Sequence, residues 1–503
     1  MAHQHVHGET RTINPVGYSK REAASGGVGT SPNPHAYLYL RCVTPHDAFL
    51  PYSSYNDELL ELLNREKASA EDHYAAVEAH LDGVAYQRLR RSVSIDARRK
   101  NSTFFTGTQL RERLISRYRG LISRGVSCLD PACGAGDLLI AVIKSLPKSW
   151  SLPRRLEYAE RSIHGRERIP ILAEVARNRL RLALKQSAVR WTRRESPPLS
   201  NVRAGDGLSA ETDYSNIRLV LLNPPFARTP LVEPQPWGDG LTSQAAPFTL
   251  DVLKRCDKNT KVAAILPDVL RSGSRYQKWR EEVARIAKIE SIEVVGLFDS
   301  WTDVDVFIAH FTVQERSRRK LSSIREWSTG AGPNHARTLG QIASIAIGDV
   351  VPHRHKEEGV LVPYLTVHNV PVGAVVKSAP LRRFSGRLHK PPFLVLRRTS
   401  APTRTPGPRL AISVIDRQVG VAAVENHLIV VKPTLPGIDC HELAKLLQHE
   451  SVTQWLDSRI RTRHLTKTAL LDLPLPSMSV SSLGSSGDAP SQERASTGTD
   501  RTV

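Results

Sequence analysis

Between Thr103 and Val313 the chain alternates two kinds of hydrophobic pattern. Short apolar runs, "SCLDPACG", "RSIHGRE", "NVRAGDGL", "IRLVLLNPPF", "KVAAILPD", "SIEVVGLFD" and "VFIAHFTV", read as strands, several of them broken by Gly, Asp or Pro. Between several of them lie stretches such as "IPILAEVARNRLRLALKQ" and "RYQKWREEVARIAK", whose apolar residues recur every three or four positions and predict helices. Strand and helix in alternation imply an α/β fold with a largely parallel, doubly wound sheet, here over residues 101–315. Upstream, "ELLELLNREKASAEDHYAAVEAHLDGVAYQRLRRSV" keeps the helical spacing without strand signals, which predicts a helical extension over 36–100. Downstream, 316–476 reads as mixed α+β. The two ends, 1–35 and 477–503, are rich in Gly, Ser and polar residues without periodicity; a flexible tail and a disordered tail are expected there.

The chain has 503 residues, with 70 Lys and Arg against 50 Asp and Glu, a formal charge of +20. That balance favours a polyanionic partner. The five cysteines have no metal-ligand spacing and "HQHVH" sits in a tail without fixed geometry, so no metal site is expected. No secretory pattern opens the chain, and no apolar run approaches the ~20 residues that span a bilayer. The expectation is a cytoplasmic protein with reduced thiols and no membrane contact.

The candidate chemistry begins at "CLDPACGAGDLLIAV", a strand, a glycine turn and a helix. Gly134 and Gly136 let backbone pass close to a ligand, beside Asp130, Pro131 and Ala132. A third glycine of the dinucleotide fingerprint is missing, and Asp130 would repel a phosphate yet accept an amino group. Glu167 ends the next strand, where an acid takes ribose hydroxyls in doubly wound folds, and Asp206 follows the third, where it can accept from an exocyclic amine. Each acid alone reads more readily as an ordinary solvated loop residue. Three at successive strand ends point to a nucleoside that carries an amino acid, S-adenosylmethionine. After the fourth apolar run come Asn223, Pro224, Pro225 and Phe226, which alone read as a strand-terminating loop.

Taken in order, "NSTFFTGTQLRERLI", "DPACGAGDLL", "NPPF", "FTLDVLKR" and "VAAILPDVLRSGSRYQKWREEV" resemble the gamma-class amino-methyltransferases of DNA, typified by N6-adenine methylases of restriction-modification systems. The resemblance covers about residues 100–315. It implies a Rossmann-like methyltransferase domain, Thr106 and Asn223 among the cofactor contacts, and adenine rather than cytosine as the methylated base. The family usually has Thr-Pro where this chain has Thr106-Gly107. In the resemblance the Asn223 amide oxygen and the Pro224 carbonyl accept the two hydrogens of the target amine, and Phe226 stacks on a base extruded from the duplex. The later region resembles a type I specificity-like target-recognition domain. Its loop-borne cations, Arg397, Arg398, Arg404, Arg463 and Lys467 among them, suit contacts to double-stranded DNA. A separate restriction endonuclease is a candidate partner. Two other readings stay open: an amino-methyltransferase acting on RNA or on protein glutamine, and a catalytically idle DNA-binding specificity component.

Overall fold

A computed structural model describes residues 46–64, 70–186, 197–231, 233–299, 302, 304–315, 327, 337–399, 408–460 and 464–476. The tail expected over 1–35 and the tail expected over 477–503 lie outside the described residues. Seven strands build the main sheet: β1 (Cys128–Asp130), β2 (Ile163–Glu167), β3 (Val202–Ala204) and β4 (Leu219–Leu222), then, past the hairpin β5 (Arg228–Pro230) and β6 (Leu241–Ser243), β7 (Lys261–Pro267), β8 (Ala287–Leu297) and β9 (Asp305–Val313). Their order is β3-β2-β1-β4-β7-β9-β8. From β3 through β7 every pairing is parallel, whereas β9 runs antiparallel to both neighbours. The largely parallel sheet read from the pattern is therefore mixed, with one reversed strand. The helical stretch expected to reach Lys288 stops at Ile286, because Ala287 already pairs with Val313 on β9.

The stretch before the sheet is helical but interrupted. Helices span Ser53–Asn64, Ala70–Leu81, Val84–Ser92 and Ile95–Lys100. Gly83, at φ +82, breaks the run in a conformation that disfavours side chains, and the Ser94 hydroxyl accepts from the Ala97 amide to start the last helix. These helices bury Tyr55, Leu59, Leu81 and Leu89 in the same core as Leu139, Leu172 and Leu219 of the sheet region. The helix Pro170–Gln186 lies between the two layers, which explains why it is apolar on more than one face. Its Asn178 amide donates to Asn56 at 2.8 Å, and its Lys185 ammonium donates to the Leu62 and Leu63 carbonyls at the end of the Ser53–Asn64 helix.

At the centre of this packing stands an ion cluster. Asp137 receives Arg179 at 2.8 Å, and Arg111 lies 3.6 Å away. Arg179 is fully buried and also donates to the carbonyls of His80, Leu81 and Ala135. Arg111 donates to the Leu81 carbonyl as well. One carboxylate and two guanidiniums thus tie the amino-terminal helices to the turn after β1.

The described residues from 337 onward fold around a second sheet. Its strands are β10 (Ala343–Ile347), β12 (Val375–Val376), β14 (Phe393–Arg397), β15 (Ile412–Ile415) and β17 (Leu428–Pro433), in the order β10-β17-β14-β15-β12. Beside it lie β11 (Val360–Leu365), β13 (Leu381–Phe384) and β16 (Ala423–Val424). Leu394, Leu396, Ile429 and Val431 enter the core that includes Leu443 and Leu456 of the following helices, while Phe393, Val395, Leu428 and Val430 enter a core with Leu365 and Val424. Burial on both faces explains the unbroken apolar runs "FLVL" and "LIVV".

Removing the Asp137 carboxylate leaves two buried guanidiniums uncompensated. Asp137→Ala is expected to destabilise the chain by about 3–5 kcal/mol, the usual cost of breaking a buried pair from one side. Urea unfolding of the variant against the parent protein measures it, and a loss under 1 kcal/mol would contradict the central place given to this cluster.

Candidate active site

Asp206, Glu167, Asp130 and Asn223 stand at the carboxyl ends of β3, β2, β1 and β4, the first four strands of the sheet in spatial order. The chain steps from β1 to β2 to β3 in one direction and then returns to place β4 on the other side of β1. Crevices at such reversals, outside the carboxyl ends, are where open α/β sheets hold ligands. Asp130 and Asn223 flank that crevice.

The turn after β1 is built from backbone geometry. Gly134 and Gly136 adopt φ of +53 and +84, and a Cβ on Gly136 would lie 3.2 Å from the Ala176 Cβ. Glycine there lets the helix Asp137–Lys144 begin directly against Pro170–Gln186. The Asp130 Oδ1 accepts from the Ala132 amide at 3.1 Å, between which Pro131 makes the bend. Glu167 uses one oxygen to accept from the Gly134 amide at 3.0 Å and the other to accept from Ile169 at 2.9 Å. The Arg168 amide bears on it too, and a carboxylate with about four lone-pair sites keeps room for a ligand hydroxyl. Asp206 accepts from the Leu208 amide at 2.9 Å. A Cβ on Gly207 would fall 1.9 Å from the Pro131 carbonyl oxygen, so the turns after β1 and β3 press on one another.

Asp130 is only 2% exposed. Burial, reinforced by the nearby Glu167 and Asp137 carboxylates and opposed by the Ala132 amide, pushes its carboxyl up to about 8. Burial also raises Glu167 above the usual carboxylate range, against the pull of the Ile169 and Gly134 amides. A buried and a half-buried carboxyl, both held above their ordinary values in a crevice, suit a cationic group.

Asn223 is half-buried after β4, and its Nδ2 donates to the Thr106 hydroxyl at 2.9 Å. The Thr106 amide in turn donates to Asp137 Oδ2 at 3.1 Å. The ion cluster of the fold therefore reaches the Asn223 amide in two steps. With one donor engaged, the amide plane is fixed and its oxygen is left as the acceptor. Pro224 is buried and Pro225 half-buried. Phe226 meets Phe298 edge-on, with ring centres 5.7 Å apart and planes at 85°. The backbone beyond is clamped from two sides: the Ala227 amide donates to the Ser102 hydroxyl at 3.1 Å, and the Ser243 hydroxyl of β6 donates to the Phe226 carbonyl at 3.4 Å.

The structure thus gathers Thr106, Asp130, Pro131, Ala132, Gly134, Gly136, Glu167, Asp206 and the Asn223–Phe226 loop along one sheet edge. The cations read as DNA contacts belong to the other sheet region. Arg397 donates to the Val367 carbonyl at 3.0 Å and Arg398 to the Asn426 carbonyl at 3.4 Å; Lys467 is exposed at the start of the helix Lys467–Leu471. Arg404 and Arg463 lie outside the described residues. Sequence reasoning missed Asp137, Gly207 and Phe298. Asp137 stood inside the quoted glycine motif, and Phe298 inside "GLFD", but no spacing rule connects either to the loop it supports.

Residues 78–321 match the family model described as N-6 DNA Methylase. A search among curated proteins returns no match. Among solved structures, the type IIL restriction-modification enzyme MmeI in complex with DNA aligns at 13% identity over 78% of this chain and 70% of its own, with a TM-score of 0.50. A chain of the DrdV–DNA complex aligns at 15% identity over 50% of this chain and 30% of its own, TM-score 0.38. The type I restriction-modification methyltransferase subunit from Streptococcus thermophilus aligns at 17% identity over 43% of this chain and 46% of its own, TM-score 0.32. This chain therefore spans less than two thirds of the last two. At such identities the likeness is one of fold. The match over residues 78–321 takes in the segment that builds the mixed α/β sheet.

Proposed function

We propose that the chain is a site-specific DNA adenine-N6 methyltransferase that uses S-adenosylmethionine, the modification component of a restriction-modification or phage-defence system. The observation that carries this reading is the Thr106–Asn223 hydrogen bond at the sheet's reversal point. An exocyclic amine is a weak nucleophile while its lone pair is delocalised into the ring. An acceptor fixed in advance, the Asn223 oxygen, together with the Pro224 carbonyl, draws the two hydrogens toward the protein and lets the nitrogen become pyramidal. Phe226, braced by Phe298, offers a face for a base taken out of the stack. The sheet edge fits the cofactor by donor chemistry: a buried carboxyl at Asp130 for an ammonium, Glu167 for ribose hydroxyls, Asp206 for the purine amine, and an open glycine turn with Thr106, Pro131 and Ala132 beside it. When bound, S-adenosylmethionine supplies an electrophilic methyl group. Residues 316–476 would choose the DNA word, with the catalytic region, residues 101–315, reading little beyond the flipped base. Arg397, Arg398, Arg404, Arg463 and Lys467 are the proposed DNA contacts. Because Arg397 and Arg398 each spend a donor on a backbone carbonyl, Lys467 is the freest of those described. Adenine as the target and a cognate restriction endonuclease rest on the family resemblance.

Three outcomes test this reading. Asn223→Ala should abolish methyl transfer to adenine-containing duplex while S-adenosylmethionine binding, followed by calorimetry, stays within a few-fold of the parent; near-normal turnover would sink it. Thr106→Val keeps the side-chain shape but releases the Asn223 amide, so kcat should fall by about one to two orders of magnitude with little change in KM, as for one lost preorganised hydrogen bond. A larger effect on KM than on kcat would instead make Thr106 a binding residue.

The third outcome concerns pH. In the free protein the Asp130 carboxyl keeps its proton to about pH 8, whereas the unfolded chain releases it near 4. The native state binds the extra proton between these values, so stability falls as pH rises through that window, by roughly 1.4 kcal/mol per unit for this group. Asp130→Asn should remove this slope and become the more stable protein at pH 8. Denaturant unfolding of both proteins from pH 5 to 8 measures the difference, and a difference independent of pH would refute the buried-carboxyl assignment.

A further inference from the structure

The two sheet regions meet at a seam that the proposed reaction does not use. Arg271, on the helix Asp268–Ser272 that follows β7, donates from Nη1 to the Ser458 carbonyl at 2.9 Å, crossing from one region to the other. Next to it lies a cavity of ≈50 Å³ lined by Arg271, Arg280 and Arg459 with Gln277, Thr466 and Thr468, and no Asp or Glu is among the described residues that line it. A cavity of that size exceeds the ~10–15 Å³ that one water needs and admits one tetrahedral oxyanion or a few waters.

Three guanidiniums converging on one cavity repel each other. Burial, with Arg459 and Arg271 nearby, brings Arg280 down to about 10, well below a free guanidinium. Carboxylates among the described residues stand outside the lining: Asp268 accepts from Arg271 Nε at 2.7 Å, half-exposed Asp472 accepts from Arg459 at 3.3 Å, and Glu281 acts on Arg280 through space. Arg280 spends Nη1 on the Leu270 and Gly273 carbonyls. Arg271 itself is 3% exposed, and its Nη2 is buried with no hydrogen-bond partner. A buried charged donor without a partner is costly, and a cationic cavity beside it is where a partner belongs. Arginine pairs and hydroxyls in such an arrangement match the tetrahedral, multiply charged oxygens of phosphate.

The location adds the second half. β7 runs parallel beside β4, so Arg271 follows the same sheet edge that carries Asn223. The next turn, Ser274–Tyr276, presents the Tyr276 hydroxyl to the Ser243 amide at 2.9 Å and to the Thr242 hydroxyl at 3.1 Å. Ser243 is the residue that holds the Phe226 carbonyl. An anion in the seam would thus sit one turn away from the strand that braces the Asn223–Phe226 loop.

We propose that the seam cavity is an oxyanion site that takes a single phosphate group, and that in the working protein this is a backbone phosphate of the bound duplex. The first half stands on the cavity alone; the second rests on the DNA reading above.

The test uses the full chain and inorganic phosphate. Titration calorimetry at constant ionic strength, with chloride as the balancing anion, should show one saturable site. Thr468→Glu puts a carboxylate at the exposed mouth, in the first turn of a helix that tolerates an acid, and should weaken phosphate at least tenfold; Thr468→Gln should not. Gln277→Glu, on the other wall, should reproduce the loss. If the parent protein shows no saturable phosphate binding, or the Glu variants bind as well as the parent, the site is overturned. For the second half, duplex affinity is measured against salt. Thr468→Glu should lower the slope of log affinity on log salt by about one, the share of one phosphate contact. A lost phosphate site with an unchanged slope would mean that the site takes free phosphate and not DNA. S-adenosylmethionine binding in the same variants should match the parent, so failure of methyl transfer in every protein would count against the proposed reaction without touching the phosphate site.

Discussion

Asp137 carries more of this architecture than any other side chain. Its carboxylate is shared by a fully buried arginine on the helix Pro170–Gln186, a second arginine upstream of β1, and the backbone amide of Thr106. In a low-dielectric interior directed donors hold such a cluster together: Arg179 adds three backbone carbonyls, whereas Arg111 spends Nη1 on the Leu81 carbonyl and keeps Nε and Nη2 buried without a partner. Those carbonyls belong to the amino-terminal helices and to the glycine turn. One charge therefore fixes where the helical layer docks, how the turn after β1 is shaped, and where the Thr106 hydroxyl points. The Asn223 amide takes its orientation from the end of that chain.

Much of the α/β region could be read from local pattern because its elements obey local rules. Each of the seven apolar runs became a strand of the main sheet, and Pro170–Gln186 kept its helical spacing in full. The turns of direction were harder. Gly83 and Ser94 cut the upstream helix at positions where "DG" and "SID" offered a stop and a start, signals outweighed by the three-and-four spacing around them. The direction of β9 has no local marker, since an interior antiparallel strand buried on both faces looks like a parallel one. Ala287 follows a strongly helical segment and is strand only because Val313 stands opposite.

The site was legible as a set of strand ends and illegible as a set of contacts. The acids after β1, β2 and β3 could be found because doubly wound folds put ligands there. That Glu167 would hold the Gly134 amide, or that Gly207 would lie against Pro131, depends on how closely neighbouring loops approach, which spacing along a chain does not encode. Thr106 and Asn223 are 117 residues apart in sequence, and only the sheet order makes them neighbours. Among the cations the difference was sharper. Arg397 and Arg398 look alike in sequence to any solvent-facing pair, yet their guanidiniums are turned inward onto carbonyls, while the cavity gathers Arg271 and Arg280 of neighbouring helices with Arg459 from far down the chain.

The bonds from Arg179 to the His80 and Leu81 carbonyls span 99 and 98 residues of chain. Closing loops of that length costs entropy before any contact repays it. On the ribosome, Asp137 is made after Arg111 but 42 residues before Arg179, its closer partner, and the helices beginning at Ser53 must wait for Pro170–Gln186 to cover their apolar face. A nascent chain shorter than this has neither the ion cluster nor a shaped glycine turn, so assembly of the region is an event of the first two hundred residues taken together and not of a nucleus that grows from the amino terminus.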